Sequence, residues 1–249
     1  MENKNFLSIF QNEKPVFGML HLKGSTHDEI FEKAKNEIDL YIEGGVDAII
    51  VENYFGNYYD MENILQYLLD AKKDIIYGVN CLHVDPMGFY LAKKYCASFV
   101  QLDSVCGHLK VRDDPGFDEF IKLCRKGYDG YILGGVRFKY QPYKSGRTLE
   151  EDLNIGKTRC DAIVVTQDAT GQETSLDKIE KFRKILGDFP LVIGAGMTPD
   201  NCEKQLELAD AAIVGSYFKD TYKDDGDLDL SHIQDMVHAL NNIRKKKGV

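Results

Sequence analysis

Phe189-Pro190-Leu191-Val192-Ile193-Gly194-Ala195-Gly196-Met197-Thr198-Pro199-Asp200-Asn201 opens the stretch that decides the fold, and Asp210-Ala211-Ala212-Ile213-Val214-Gly215-Ser216 closes it. Each half is a short, β-branched apolar run that ends in glycine and small polar residues. The residues between them, to about Leu208, form a helix, so the unit reads as strand, loop, helix, strand, loop. The spacing predicts that Thr198 caps that helix and that Pro199 takes its first position, where a missing N–H costs nothing. Glycine lets the backbone approach an oxyanion closely, and free N–H groups at a helix start carry partial positive charge toward it. Gly194, Ala195, Gly196, Gly215 and Ser216 are therefore the expected phosphate-binding residues, after the last two strands, where a (β/α)₈ barrel commonly holds a phosphate. Two ordinary strand-to-helix turns would contain the same glycines, so the rest of the chain has to decide.

Upstream, six further apolar runs alternate with helical stripes. Expected strands cover 14–21, 46–52, 75–80, 98–102, 130–139 and 161–166. Expected helices cover 28–44, 61–72, about 86–95, the segment after Pro115 up to Gly127, 149–157 and 176–186. The opening unit adds two strands and a helix from Thr198, and a last helix, 232–245, closes the chain. The fifth strand is extended through Gly134-Gly135 to Lys139, with the glycines marking a bulge or a close neighbour. Eight strands alternating with eight helices, in runs apolar enough to be buried on both faces, predict a single (β/α)₈ TIM barrel over residues 1–249. An internal echo agrees: Val46-Asp47-Ala48, Cys160-Asp161-Ala162 and Ala209-Asp210-Ala211 each begin a strand with the same aspartate-alanine entry. These aspartates precede the strands and so belong to the bottom face.

Loop lengths separate the two faces. Returns from helix to strand are tight (Gly44-Gly45, Lys73-Asp74, Gly127-Tyr128), whereas 53–60, 103–114, 140–148 and 167–175 are long strand-to-helix connections. Loops elaborated beyond what closure requires carry function. The site is thus expected at the C-terminal ends of the strands, where His21, Glu52, Asn80, Asp103, Lys139 and Thr166 stand at the points where apolar runs stop.

Ala48, Ile50 and Glu52 share one side of a strand, which aims Glu52 into the mouth as a general base or metal ligand; a salt bridge to a rim lysine is the plainer alternative. Lys139 suits a substrate carboxylate or phosphate, or a Schiff base with its basicity lowered by burial or by Arg137; a solvated lysine at a strand end is the plainer alternative. His21 suits hydrogen bonding or acid/base work. Asp103 is grouped with these as a catalytic candidate, and Glu52 with Asp103 offers oxygen ligands to a divalent cation such as Mg²⁺, although no spacing pattern requires a cofactor. Asn80, Arg137 and Thr166 are the expected substrate-binding side chains, with capping of the next turn the alternative for Asn80 and Thr166.

Composition sets the outer limits. A formal net charge of −9 argues against a nucleic-acid surface, and no stretch reaches the roughly 18 apolar residues of a membrane span. The 6 cysteines are scattered without a paired motif, which predicts free thiols in a cytoplasmic protein. Cys106, near His108, is expected to be a buried small residue rather than a nucleophile. The expected partner is a small phosphorylated metabolite, with self-association into a homo-oligomer left open.

Residues 15–22, 44–53, 161–171, 194–201 and 213–216 together resemble the BtpA/SgcQ family, in the family's order and over nearly the whole chain. The resemblance implies a barrel akin to the ribulose-phosphate-binding ones. Family members are described as a photosystem I biogenesis factor and as sugar-operon enzymes. The resemblance leaves the activity open; the strand-tip residues point to an isomerase, epimerase or aldolase-like lyase acting on a phosphorylated sugar or related metabolite, with a non-catalytic assembly factor as the alternative. Gln167, His83 and Arg137 depart from the residues usual in the family at their positions.

Overall fold

The computed structural model describes residues 5–71 and 74–247. Eight parallel strands, β1 (Val16–Leu20), β2 (Ala48–Glu52), β3 (Ile76–Asn80), β4 (Phe99–Cys106), β5 (Tyr131–Val136), β6 (Ala162–Val165), β7 (Leu191–Ile193) and β8 (Ala211–Val214), close into a barrel in sequence order. Between them run α1 (His27–Gly44), α2 (Tyr58–Ala71), α3 (Asp85–Lys94), α4 (Asp114–Arg125), α5 (Leu149–Arg159), α6 (Leu176–Leu186) and α7 (Cys202–Leu208), and α8 (Leu230–Lys247) follows β8. The strands are buried on both faces, which is why they read as continuous apolar runs. Phe17, Met19, Ala48, Ile50, Leu133, Val164 and Ile213 fill the interior, while alternate residues such as Ile49, Val51, Ile163 and Ile193 meet the helices. Among the described residues no helix is long and apolar enough to cross a membrane.

The bottom is sealed by aromatic side chains and capped by the repeated aspartates. Phe6, on a short 3₁₀ turn, packs edge-on against Phe17, Phe99 and Tyr131 beneath the interior layer. Asp47, Asp161 and Asp210 each accept a backbone N–H from the start of the preceding strand: Val16 at 2.8 Å, Ile132 at 2.7 Å and Leu191 at 2.9 Å. Each is also neutralised by an arginine, Arg244, Arg125 and Arg183 respectively. A backbone N–H at the start of the strand that would end buried without a partner is thereby satisfied, which explains the recurrent entry.

Among the boundaries that differ from expectation, three bear on the site, each for a local reason. β4 continues past Leu102 to Cys106, so Asp103 lies within the strand rather than at the head of a long loop. Leu102 pairs with Gly134 but Cys106 with Val136, a bulge that gives β4 two extra residues opposite Gly135. β5 ends at Val136, because Arg137 adopts φ +53° and turns the chain, so Lys139 sits in the following turn rather than on the strand. α7 starts at Cys202, one turn later than the Thr198 cap predicts: the Asn201 side chain takes the Thr198 N–H at 2.8 Å and holds residues 198–201 in a separate turn. The expected helix end at Lys72 and Lys73 of the tight connection Lys73-Asp74 lie outside the described residues.

Candidate functional site

Side-chain alternation builds the mouth. The period of two that buries Phe17 and Met19 brings His21 inward above them, and the same register raises Glu52 above Ala48 and Ile50 and Asp103 above Phe99 and Gln101. These tips line a cavity of about 350 Å³ at the C-terminal end of the barrel. Lys139, Gly194, Ala195, Gly196, Gly215 and Ser216 line it as well.

Glu52 is 6 % exposed and Asn80 2 % exposed, so the carboxyl group is out of water and must find its partners in the protein. Asn80, paired in register with Glu52, donates from Nδ2 to Glu52 Oε1 at 2.8 Å and to Asp103 Oδ1 at 3.3 Å. One amide group thus bridges two carboxyls. Among the described residues no group of three or more His, Cys, Asp or Glu is placed to hold a metal ion.

Burial, and then the neighbouring Asp103, push the Glu52 carboxyl up to about 8, against the opposing pull of Lys139 and Asn80. Asp103 is also raised by burial, but Asn80, Lys139 and Gln101 favour its charged form. Two like groups forced together separate in this way: Glu52 keeps its proton at neutral pH and Asp103 is the first to lose one. His21 lies on the other side, with Nε2 3.6 Å from Glu52 Oε2. Burial, followed by the charge of Lys219, lowers His21 to about 4. At neutral pH the contact is therefore a neutral imidazole facing a neutral acid, not an ion pair. The Nδ1 contact to the Asp224 carbonyl at 3.4 Å assigns the ring proton to Nδ1, leaving the Nε2 lone pair toward Glu52.

The opposite wall is built from backbone. Gly194 donates its N–H to Val165 and completes the sheet. Among the described residues no hydrogen bond takes the N–H of Ala195, Gly196 or Gly215. The glycines have separate reasons. Gly196 has φ +72°, and a Cβ there would come within 2.3 Å of the Gln172 backbone, so it is glycine because the loops abut. At Gly215 a Cβ would meet only ordinary contacts, 3.5 Å to Met19 and 3.7 Å to His21, but would project into the cavity. Lys139 extends over the site, its Nζ 3.2 Å from Thr170 Oγ1.

Of the other expected substrate-binding residues, Thr166 lies beneath the floor. Its Oγ1 accepts the Lys139 N–H at 2.8 Å and so sets where that lysine starts. Arg137 turns away from the cavity. It pairs with the fully buried Asp152 at 3.2 Å, donates to the Arg147 carbonyl and lies over the Tyr143 ring. Cys106 is buried, and burial with Asp152 nearby pushes its thiol up to about 11, which makes it a packing residue.

Among the lining residues that escape a reading based on strand tips, Tyr54, Thr170 and Gln101 touch the polar groups of the site. Tyr54 stacks on His21 with ring centroids 4.8 Å apart and donates to Asp224 Oδ2 at 2.6 Å, roofing the imidazole. Thr170 meets both Lys139 and the Tyr140 hydroxyl. Gln101, two residues before Asp103 on the same face, lines the cavity with its Oε1 unpartnered. A lone glutamine inside an apolar strand, at even spacing from an aspartate, was the available signal for it.

The chain is 26% identical over 258 residues to an uncharacterized protein of Methanocaldococcus jannaschii, covering 93% of this chain and 97% of that one. It is 25% identical over 240 residues to the photosystem I biogenesis protein BtpA of Synechocystis, covering 86% of this chain and 84% of that one. Among solved structures, the native KDPGal structure superposes with a TM-score of 0.63 at 13% identity, covering 95% of this chain and 98% of that one. Phosphoribosyl anthranilate isomerase of Thermus thermophilus gives 0.62 at 12% identity, covering 92% and 100%. At such identities these likenesses speak for the barrel alone. The BtpA family matches residues 12–242, and the chain belongs to that family.

Proposed function

We propose that the barrel is an enzyme that grips a phosphorylated small molecule between the 195–196 and 215–216 loops and moves a proton at its other end, as an isomerase, an epimerase or an aldolase-like lyase. One observation carries the reading. Glu52 is a carboxylic acid buried to the point of staying protonated at neutral pH, and it faces a cavity alongside a second carboxyl that ionises first. An acid and a base of the same chemical type, held side by side by Asn80, are what proton transfer between adjacent substrate atoms needs. His21 receives or relays the proton through Nε2, and Lys139 supplies positive charge to an oxyanion. Anchoring the phosphate on fixed amides lets binding energy position the reacting end. A solved phosphoribosyl anthranilate isomerase and a thiamine phosphate pyrophosphorylase share the fold, and their names refer to phosphorylated compounds.

Calorimetry against a panel of sugar phosphates, with the wild-type protein and Gly215→Asp, tests the anchor. Incubation of binders in D₂O tests the chemistry: NMR should show deuterium entering a carbon-bound position, and Glu52→Gln should abolish it. Binding by no phosphorylated compound, or binding indifferent to Gly215→Asp, refutes the reading. A second reading rests on the relative in Synechocystis named for photosystem I biogenesis, in which the barrel is a non-catalytic assembly factor. On that reading Glu52→Gln and Lys139→Met proteins complement a deletion fully, whereas the enzymatic reading expects both to fail.

A further inference from the structure

Beside the mouth, on the β3–β4 side, lies a smaller pocket of about 120 Å³. Leu82, His83, Asp103 and Gln141 line both spaces, so the pocket adjoins the site across the face opposite the phosphate loops. Its chemistry is one-sided. Two carboxyls, Asp85 and Asp103, line it, and no Lys or Arg does; the basic groups present are the imidazoles of His83, which is exposed on the rim, and His108. The amide of Asn80 is spent on Glu52 and Asp103.

Hydrogen-bond accounting points the same way. Buried polar atoms in proteins are nearly all paired, so each exception needs a reason. Ser104, which is 7% exposed, lines the pocket with its Oγ unpartnered, and His108, also in its wall, has Nδ1 unpartnered. Gln101, 4% exposed and part of the adjoining cavity wall, leaves Oε1 without a donor. Asp103 takes the N–H groups of Asn80 and Gln101, but the Asp85 carboxyl, Gln101 Oε1 and the Ser104 hydroxyl, which can accept as well as donate, remain to be matched. A group that matches this surface brings several N–H donors and a positive charge, which describes a primary ammonium: three donors and no acceptor.

We infer that the pocket between β3 and β4 binds an ammonium group, so that the substrate is a phosphorylated amine, with phosphate on the β7–β8 loops and nitrogen between Asp85, Asp103 and Ser104. The proposal rests on the phosphate reading above for the far end of the ligand and on the pocket alone for the near end.

The test uses matched pairs of flexible probes, ω-aminoalkyl phosphates and ω-hydroxyalkyl phosphates of two to five carbons, titrated by calorimetry into the full chain. At the best-fitting length the amine should bind at least about tenfold more tightly, the scale of one charge-assisted hydrogen bond. Asp85→Asn should remove most of that preference and Ser104→Ala part of it, while both variants stay folded and bind inorganic phosphate as the wild type does. Equal affinity of amine and alcohol at every length, or a preference that survives Asp85→Asn, overturns the proposal. Should inorganic phosphate fail to bind the wild type, the phosphate reading falls by itself. The pocket is then judged on unphosphorylated amino alcohols against the matching diols: an amine preference lost in Asp85→Asn supports it, and no preference overturns it.

Discussion

Glu52 makes the pH dependence of stability a direct reporter of the site. A carboxyl at 4.5 in the unfolded chain and raised to about 8 in the native barrel binds its proton more tightly when folded. Its favourable contribution is complete below the unfolded value and is lost as pH climbs toward the folded one, so the protein loses stability across that window. The slope for one proton is roughly 1.4 kcal/mol per pH unit. Over the whole window this amounts to on the order of 2–5 kcal/mol, the lower figure applying where water enters the mouth as the group ionises. Glu52→Gln keeps the shape and the hydrogen-bonding capacity but removes the titration. Urea unfolding of both proteins at pH 5, 6, 7 and 8 gives the difference, in which every other titrating group common to the two largely cancels. Glu52→Gln should gain on the wild type steadily as pH rises, by about 1 kcal/mol per unit at neutral pH. A flat difference would show Glu52 to be solvated, and one that falls with pH would show it held ionised by a partner such as Lys139; either removes the acid/base assignment.

Other outcomes follow from the same geometry. Asn80→Leu leaves Glu52 and Asp103 facing each other without the bridging amide; it should cost about 1–3 kcal/mol and raise the apparent Glu52 pKa further, both readable by unfolding and by a carboxyl-edited pH titration. Gly196→Ala places a Cβ 2.3 Å from the Gln172 backbone at φ +72° and should lower the melting temperature clearly, whereas Gly215→Ala meets nothing closer than 3.5 Å and should spare stability while weakening phosphate binding. Asp210→Ala strips the Leu191 N–H and Arg183 of their shared acceptor at the bottom of the barrel; denaturation should register a loss of about 2–4 kcal/mol with ligand binding unchanged.

Much of the architecture was legible because apolar runs and their stops are a local signal. Ala48, Ile50 and Glu52 alternate so regularly that the inward direction of the carboxylate follows from the strand alone, and the aspartate entries marked the bottom face. Legibility failed where polar residues sit inside strands. Asp103 and Ser104 interrupt an apolar run and so read as a loop, yet the bulge opposite Gly135 carries β4 through them to Cys106. Lys139 was placed by an apolar alternation that Arg137 breaks with a left-handed backbone, and it reaches the cavity from a turn anchored on Thr166. Thr198-Pro199 is a sound helix start locally, but the Asn201 side chain accepts the Thr198 N–H and closes residues 198–201 into a turn of their own. The role of Asn80 as a bridge, and of Tyr54 as the roof over His21, depends on partners brought from other strands and loops, which no spacing within one segment encodes.

An enzymatic role for the barrel requires that the amides of the last two strand ends bind an anion. The most direct measurement is a titration of the isotopically labelled protein with inorganic phosphate, followed through backbone amide resonances. The prediction is saturable shifts concentrated at Ala195, Gly196, Gly215 and Ser216 and abolished in Gly215→Asp. Shifts scattered over the surface lysines, or none at those four residues, would contradict it.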